Sequence, residues 1–245
     1  MDGQKNGKKF INYAHRGASE YTPENTFLAF YTGIYMGANG IETDVQMTKD
    51  GVLVLFHDDT IERLTGEKGS VSDFTLEELK KFTFRKDDRM DKIVVFEEFL
   101  QHFAFREMTF AIEIKQPGIE KEIADLIRKY NLVHKCVVTS FIMDCIRTIK
   151  SYAPELHCGL LKYEITDENL AELAAIGVEE VCPHAENVTA EQVAKWHRNG
   201  FNVRAWGVKN EELMKNVYDS MADGMTVNFP DKLAEYMKLK MSEEL

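Results

Sequence analysis

Short β-branched runs alternate with amphipathic stretches along almost the whole chain, and this alternation constrains the fold more than any other feature. Strand-like runs fall at 10–15, 40–47, 52–57, 109–115, 136–140, 156–161, 178–182, 202–206 and 224–228. Helical patterns lie between them at 118–130, 142–152, 167–176, 189–199, 210–218 and 230–240. A further helix is expected to start within Thr22-Pro23-Glu24-Asn25, which offers a cap, a first-position proline and first-turn acid. Phe27, Phe30, Tyr31 and Ile34 then share one helical face. Helices alternating with short strands predict a parallel sheet. Counting 52–57 as a hairpin extension of its predecessor leaves eight strands, and eight strand–helix units in 245 residues predict an α/β fold, a (β/α)8 TIM barrel. An open doubly wound sheet is the competing arrangement. Residues 62–107, with helical patterns at 75–82 and 96–105, break the rhythm and read as an insertion on the barrel rim after the second strand. The whole of 1–245 is expected to form one domain.

Two segments place charged side chains on either side of an apolar spacer within a strand: Ile41-Glu42-Thr43-Asp44-Val45 and Ile112-Glu113-Ile114-Lys115. Residues i and i+2 of a strand face the same way. In a closed barrel Ile41, Thr43, Val45, Ile112 and Ile114 would pack outward against helices, while Glu42, Asp44, Gln46, Glu113 and Lys115 point into the lumen. A carboxylate inside a barrel is costly unless paired or metal-bound. Three acidic oxygen donors from two strands suit a hard cation such as Ca²⁺ or Mg²⁺. A plain surface pair, or polar-out strands of an open antiparallel sheet, would explain either segment alone.

His15-Arg16-Gly17 ends the first strand, and His57-Asp58 ends the run 52–56, both at positions that meet the active-site mouth of a barrel. Two imidazoles across a scissile bond can serve as base and acid. Arg16 suits phosphate because its planar fork donates to two oxygens, and Lys115 offers a point charge. Gly17 would allow the backbone to approach a substrate closely. Trp206, ending a late strand, either covers the apolar side of a glycerol-sized ligand or belongs to the core. His184 ends another strand and is read as structural, with the mouth as the alternative.

The net charge of −11 argues against nucleic acid as a partner, since phosphate neutralisation needs a basic surface. A local cation and a few basic side chains still permit a small anionic substrate. Cys136, Cys145, Cys158 and Cys182 lack C-x-x-C spacing and read as reduced core residues. Residues 1–9 carry no apolar secretory core, and no run approaches a membrane span, so a cytoplasmic protein with no stable membrane association is expected. Phosphate-loop, zinc-protease and serine-esterase signatures are absent. No heptad seam forces a dimer, and the oligomeric state stays open.

His15-Arg16-Gly17, Pro23-Glu24-Asn25-Thr26, Glu42-x-Asp44-Val45, His57-Asp58 and Glu113-Ile114-Lys115, taken in order, resemble the glycerophosphodiester phosphodiesterase family in its short bacterial form. The resemblance runs from residue 11 to about 235. It implies a metal-dependent barrel enzyme hydrolysing glycerophosphodiesters to glycerol 3-phosphate and an alcohol. It would make Glu42, Asp44 and Glu113 metal ligands, His15 and His57 the acid–base pair, and Arg16 and Lys115 phosphate contacts. The segment 201–207 matches the family's late tryptophan strand. One departure is Asn228, where the family usually carries aspartate; it bears on substrate preference. Two alternatives are weighed: a lysophospholipase D-like enzyme with an acyl-binding rim from Phe82, Phe84, Phe103 and Phe105, and a non-catalytic phosphodiester-binding barrel.

Overall fold

The structure, a computed structural model, describes residues 4–5 and 8–243 of the chain. Eight parallel strands close on themselves: β1 (Ile11–His15), β2 (Gly40–Met47), β3 (Thr109–Ile114), β4 (Cys136–Ser140), β5 (His157–Lys162), β6 (Glu180–Pro183), β7 (Asn202–Val208) and β8 (Gly224–Val227). Each pairs with its sequence neighbour, and β8 pairs back onto β1 through Thr226↔Tyr13, so no edge remains. The crossovers are α1 (Phe27–Tyr35), α2 (Phe96–Phe103), α3 (Glu120–Lys129), α4 (Met143–Tyr152), α5 (Asp167–Ala175), α6 (Ala190–Arg198) and α7 (Glu211–Asp219), with α8 (Pro230–Glu243) closing the ring. This is a (β/α)8 TIM barrel, as the alternation predicts.

Strand-to-helix turns repeat one local device. Thr26, Thr166, Thr189 and Asn210 precede α1, α5, α6 and α7 in extended conformation, and each side chain accepts an otherwise unpaired amide of the first turn. The main apolar core lies between sheet and helices: Ile41, Val45, Ile112, Ile114, Val138, Leu160 and Val203 all point outward into it. The lumen is left to the alternate residues, which are largely polar. Near its floor Arg204, 2% exposed, lies over the Tyr13 ring and donates to Glu180 Oε1 at 2.9 Å and to Cys182 Sγ.

Two local expectations are corrected. α1 begins at Phe27, not within Thr22–Asn25, because Asn25 adopts a left-handed backbone (φ 55°) that no helical first turn accommodates. The second concerns the rim excursion. Leu53–Leu55 does fold back antiparallel on β2, with Gln46↔Val54 in register. Phe96–Phe103, read as part of the insertion, instead covers the barrel as α2. Phe99 meets Phe30, Phe103 and Phe110 at ring-centroid distances of 5.0, 5.1 and 5.5 Å. The excursion ends before it and has its own small core of Val54, Phe56, Ile61, Leu64, Val71, Leu79, Phe84 and Ile93. Its helical pattern at 75–82 shortens to Leu76–Leu79, after which the chain turns so that Phe82 packs edge-on to Phe74.

All four cysteines are free and buried, and no helix among the described residues is long and apolar enough to cross a membrane. Truncating Phe99 to Ala should cost about 3–5 kcal/mol by denaturant unfolding, the range for a buried aromatic. Phe105→Ala, at a side chain 75% exposed, should stay within about 0.5 kcal/mol. Equal effects would contradict the placement of α2 in the main core.

Candidate active site

The register of β2 on β3 sets Asp44 opposite Glu113, with Glu42 two residues earlier on the same face. One carboxylate oxygen from each of the three lies within 4.8 Å of the others, and all three residues are buried. Burial is the largest influence on each. It pushes the Glu42 carboxyl well above its usual range, with Asp44 and Glu113 adding to the rise. It lifts Glu113 to about 7, again reinforced by Asp44. Asp44 is also raised by burial, but Arg16, His57, Lys115 and the Asn25 amide outweigh this and hold it low. Its Oδ1 is buried with no hydrogen-bond partner. Three converging hard oxygen donors, one of them orphaned, fit a divalent cation better than any apolar or neutral group.

The basic groups come from the strand ends. β1 finishes at His15, and Arg16 then takes a left-handed backbone (φ 56°) that lets its amide donate to the Glu42 carbonyl at 2.9 Å and to Glu42 Oε2 at 3.1 Å. The Arg16 guanidinium lies 3.2 Å from Asp44 Oδ2 and donates to Glu24 Oε1 at 2.8 Å. Gly17 (φ 83°) is needed for packing: a Cβ there would sit 2.4 Å from the Ala29 carbonyl carbon of α1. Lys115 donates to Glu113 Oε1 at 2.9 Å and stands 3.9 Å from Asp44 Oδ1.

The histidines are anchored differently. His15 Nδ1 meets Asn228 Oδ1 at 2.6 Å, which also accepts from Ser19 Oγ at 3.0 Å. An amide oxygen only accepts, so Nδ1 carries the proton and Nε2 keeps its lone pair, 3.8 Å from Glu42 Oε2. Burial, then the Arg16 charge, hold His15 down at about 4, against the raising effect of Asn228. His57 Nδ1 instead pairs with the Asp58 carboxylate at 2.8 Å.

These groups converge on one cavity of about 320 Å³, lined by His15, Arg16, Glu42, His57 and Glu113 on one side and by Phe141, Leu161 and Trp206 on the other. The Trp206 indole donates to the Lys162 carbonyl at 3.2 Å and is met edge-on by Phe141 and His184. His184 therefore buttresses Trp206 rather than lining the cavity. A larger opening of about 670 Å³ lies at the other end of the barrel, with Arg204 lining both. The smaller one is the better candidate, because it sits at the carboxyl ends of the strands, where the charged groups meet. The acyl-binding rim weighed as an alternative does not form from these four phenylalanines. Phe84 and Phe103 are buried in two different cores, Phe82 packs on Phe74, and Phe105 alone is exposed, on the turn that precedes the amino end of β3.

Three residues that hold the site were named in the sequence but not among its candidate site residues. Glu24 binds Arg16. Asn25 donates to Asp44 Oδ2 at 2.8 Å and accepts from Thr43 Oγ1 at 2.7 Å. Asn228 orients His15. Asn25 left a readable signal, since asparagine tolerates the left-handed conformation that few other residues adopt.

The family model described as "Glycerophosphoryl diester phosphodiesterase family" matches residues 15–232. A glycerophosphodiester phosphodiesterase of Caldanaerobacter subterraneus subsp. tengcongensis is 34% identical over 239 residues, covering 94% of this chain and 98% of that protein. One from Bacillus altitudinis is 32% identical, covering 92% and 98%. An Oleispira antarctica phosphodiesterase, solved in complex with the product sn-glycerol-3-phosphate, superposes with a TM-score of 0.82 at 24% identity, covering 92% and 96%.

The raised Glu113 gives a pH test on metal-stripped protein. With a folded value near 7 against 4.5 unfolded, the folded state holds the extra proton between these limits, so its stability falls as pH rises through them. Glu113→Gln removes that loss: its Tm should exceed the parent's at pH 8, and the gap should close towards pH 5. A gap that is constant with pH would contradict the raised carboxyl.

Proposed function

The chain belongs to the glycerophosphoryl diester phosphodiesterase family and is an enzyme of that class, and from this membership we propose that it hydrolyses glycerophosphodiesters to sn-glycerol 3-phosphate and an alcohol with one divalent cation, Ca²⁺ or Mg²⁺. The observation that carries the proposal is the orphaned Asp44 Oδ1 beside Glu42 and Glu113, with two imidazoles and two cationic side chains close by. Glu42, Asp44 and Glu113 would hold the ion. When bound, it would act as a Lewis acid on the phosphoryl group and make a coordinated hydroxyl or water more acidic.

The chain's own groups supply the rest. Arg16 offers its fork to non-bridging phosphate oxygens, and Lys115 stabilises charge as it builds on the equatorial oxygens. His15, neutral above about pH 4 with its Nε2 lone pair free, takes the proton of the nucleophile. His57, fixed through Nδ1 by Asp58, protonates the leaving alcohol from Nε2. The two exchange roles if the glycerol 2-hydroxyl attacks first and a cyclic phosphate is then opened by water. Trp206, with Phe141 and Leu161, covers the apolar side of the glycerol unit.

A lysophospholipase D-like reading loses the rim it would have drawn from Phe82, Phe84 and Phe103, since Phe84 and Phe103 are buried and Phe82 packs on Phe74. A binding-only barrel would have no use for a base and an acid set on one phosphodiester.

A phosphodiester panel assayed with EDTA and with metal add-back, products identified by mass, tests the proposal. Glycerophosphocholine turnover should vanish with EDTA and return with Ca²⁺ or Mg²⁺, yielding glycerol phosphate. His15→Ala and His57→Ala should each lose about 10²–10⁴ in kcat, the usual worth of general acid–base catalysis. Turnover near the parent level in either variant would overturn the histidine assignment. Calorimetric binding without product in saturating cation would favour the binding-only barrel.

A further inference from the structure

One charged side chain touches both halves of this site without facing the cavity. Arg63 lies on the single-turn helix Glu62–Thr65 of the rim excursion. It donates from Nη1 and Nη2 to the two oxygens of Glu24, at 2.9 and 2.6 Å, and from Nε to Asp58 Oδ2 at 2.6 Å. Glu24 in turn accepts from Arg16, and the other oxygen of Asp58 pairs with His57 Nδ1. Two chains of hydrogen bonds and ion pairs therefore meet at one guanidinium: Arg63–Glu24–Arg16–Asp44, its last link an ion pair, and Arg63–Asp58–His57.

The geometry points to Arg63 as a positioning residue that fixes Arg16 and His57 relative to each other, and so the phosphate-binding group relative to the proton donor. This rests on the roles proposed above. An exposed ion pair is ordinarily worth little, because two flexible chains must be held in one arrangement. Arg63 is half exposed, but its partners are not: the Glu24 and Asp58 side chains are 11% and 25% exposed. Its rigid fork uses three donors on three oxygens, an arrangement that a lysine ammonium cannot span. Without it, Glu24 keeps only Arg16 and is free to turn and chelate it, away from the phosphate. Asp58 loses the contact that fixes its plane, and the His57 ring loses its aim. Misplacement of reacting groups by about 1 Å can cost about 10²-fold in rate.

The excursion holds the loop after β1, and the first turn of α1, by other means as well. Lys86 and Arg89 donate to the carbonyls of Ser19 and Tyr21, and Asp91 accepts from the Leu28 amide. Loss of Arg63 therefore leaves the loop tethered, and the consequence should be functional rather than a loss of fold.

The test compares Arg63→Ala and Arg63→Lys in the cation-saturated enzyme, reading kcat on glycerophosphocholine and the inhibition constant of inorganic phosphate. Arg63→Ala should lower kcat and raise the phosphate constant, each by about tenfold or more. Arg63→Lys should recover neither fully, and added guanidinium at tens of millimolar should restore part of both in the Ala variant. Asp58→Asn should affect mainly kcat, and Glu24→Gln mainly phosphate binding. On the Glu24→Gln background, Arg63→Ala should change the phosphate constant by less than about twofold, since coupled residues are not additive. A drop in Tm alone, with both constants within twofold of the parent, would reduce Arg63 to a structural brace and overturn the inference. Parent-like values for Arg63→Lys would overturn it too. Arg16→Ala and His57→Ala serve as controls: if they retain activity, the proposed roles fail; if they lose it and Arg63→Ala does not, only the inference about Arg63 fails.

Discussion

Three carboxylates forced together inside a closed sheet are the constraint on which the site depends. Like charges at this spacing, away from water, repel strongly, and the cost is relieved by protonation, by basic partners or by a bound cation. The chain uses the second route in part: Arg16 and Lys115 both reach Asp44, which stays ionised, while Glu42 and Glu113 are driven towards their neutral forms. Asp44 Oδ1 has no hydrogen-bond partner, with the Lys115 ammonium 3.9 Å away, and ionising Glu42 and Glu113 as well would leave a deficit of positive charge, two basic groups against three acids. A divalent cation would remove that deficit. The parallel register fixes this arrangement, because Asp44↔Glu113 is a backbone pairing and not a matter of side-chain choice.

The same barrel end separates two chemically identical imidazoles. His15 rests on a neutral amide, beside a guanidinium, and is held neutral. His57 rests on a carboxylate that Arg63 shares. The two rings are thus held through different partners, the contrast on which their proposed base and acid roles rest. Asn228 acquires its meaning in this setting. Its departure from the family's aspartate suggested an effect on substrate preference, whereas its contact is with the ring of His15.

The barrel itself was legible because its two periods are clean. Outward Ile41, Val45, Ile112 and Ile114 alternate with charged neighbours on their strands. The acidic pair on β2 and its counterpart on β3 were readable from i, i+2 spacing alone, given a closed sheet. Less legible was anything set by contacts distant in sequence. Thr22–Asn25 carries every local sign of a helix start, yet Asn25 is recruited by Asp44 and Thr43 and takes a conformation that delays the helix. Phe99 and Phe103 read as part of the insertion because their barrel partners, Phe30 and Phe110, are set by long-range contacts. Arg63 and Glu24 are 39 residues apart, and nothing local in either segment announces the pair.

The central claim is that Glu42, Asp44 and Glu113 form one cation cage. Anomalous diffraction from crystals soaked in Mn²⁺, a scattering stand-in for Mg²⁺ or Ca²⁺, addresses it most directly. The account predicts a single strong peak about 2.0–2.6 Å from an oxygen of each of the three carboxylates, Asp44 Oδ1 among them, and its loss in Asp44→Asn crystals. A peak at the Glu24, His57 and Asp58 cluster instead, or none between β2 and β3 at saturating metal, would contradict it.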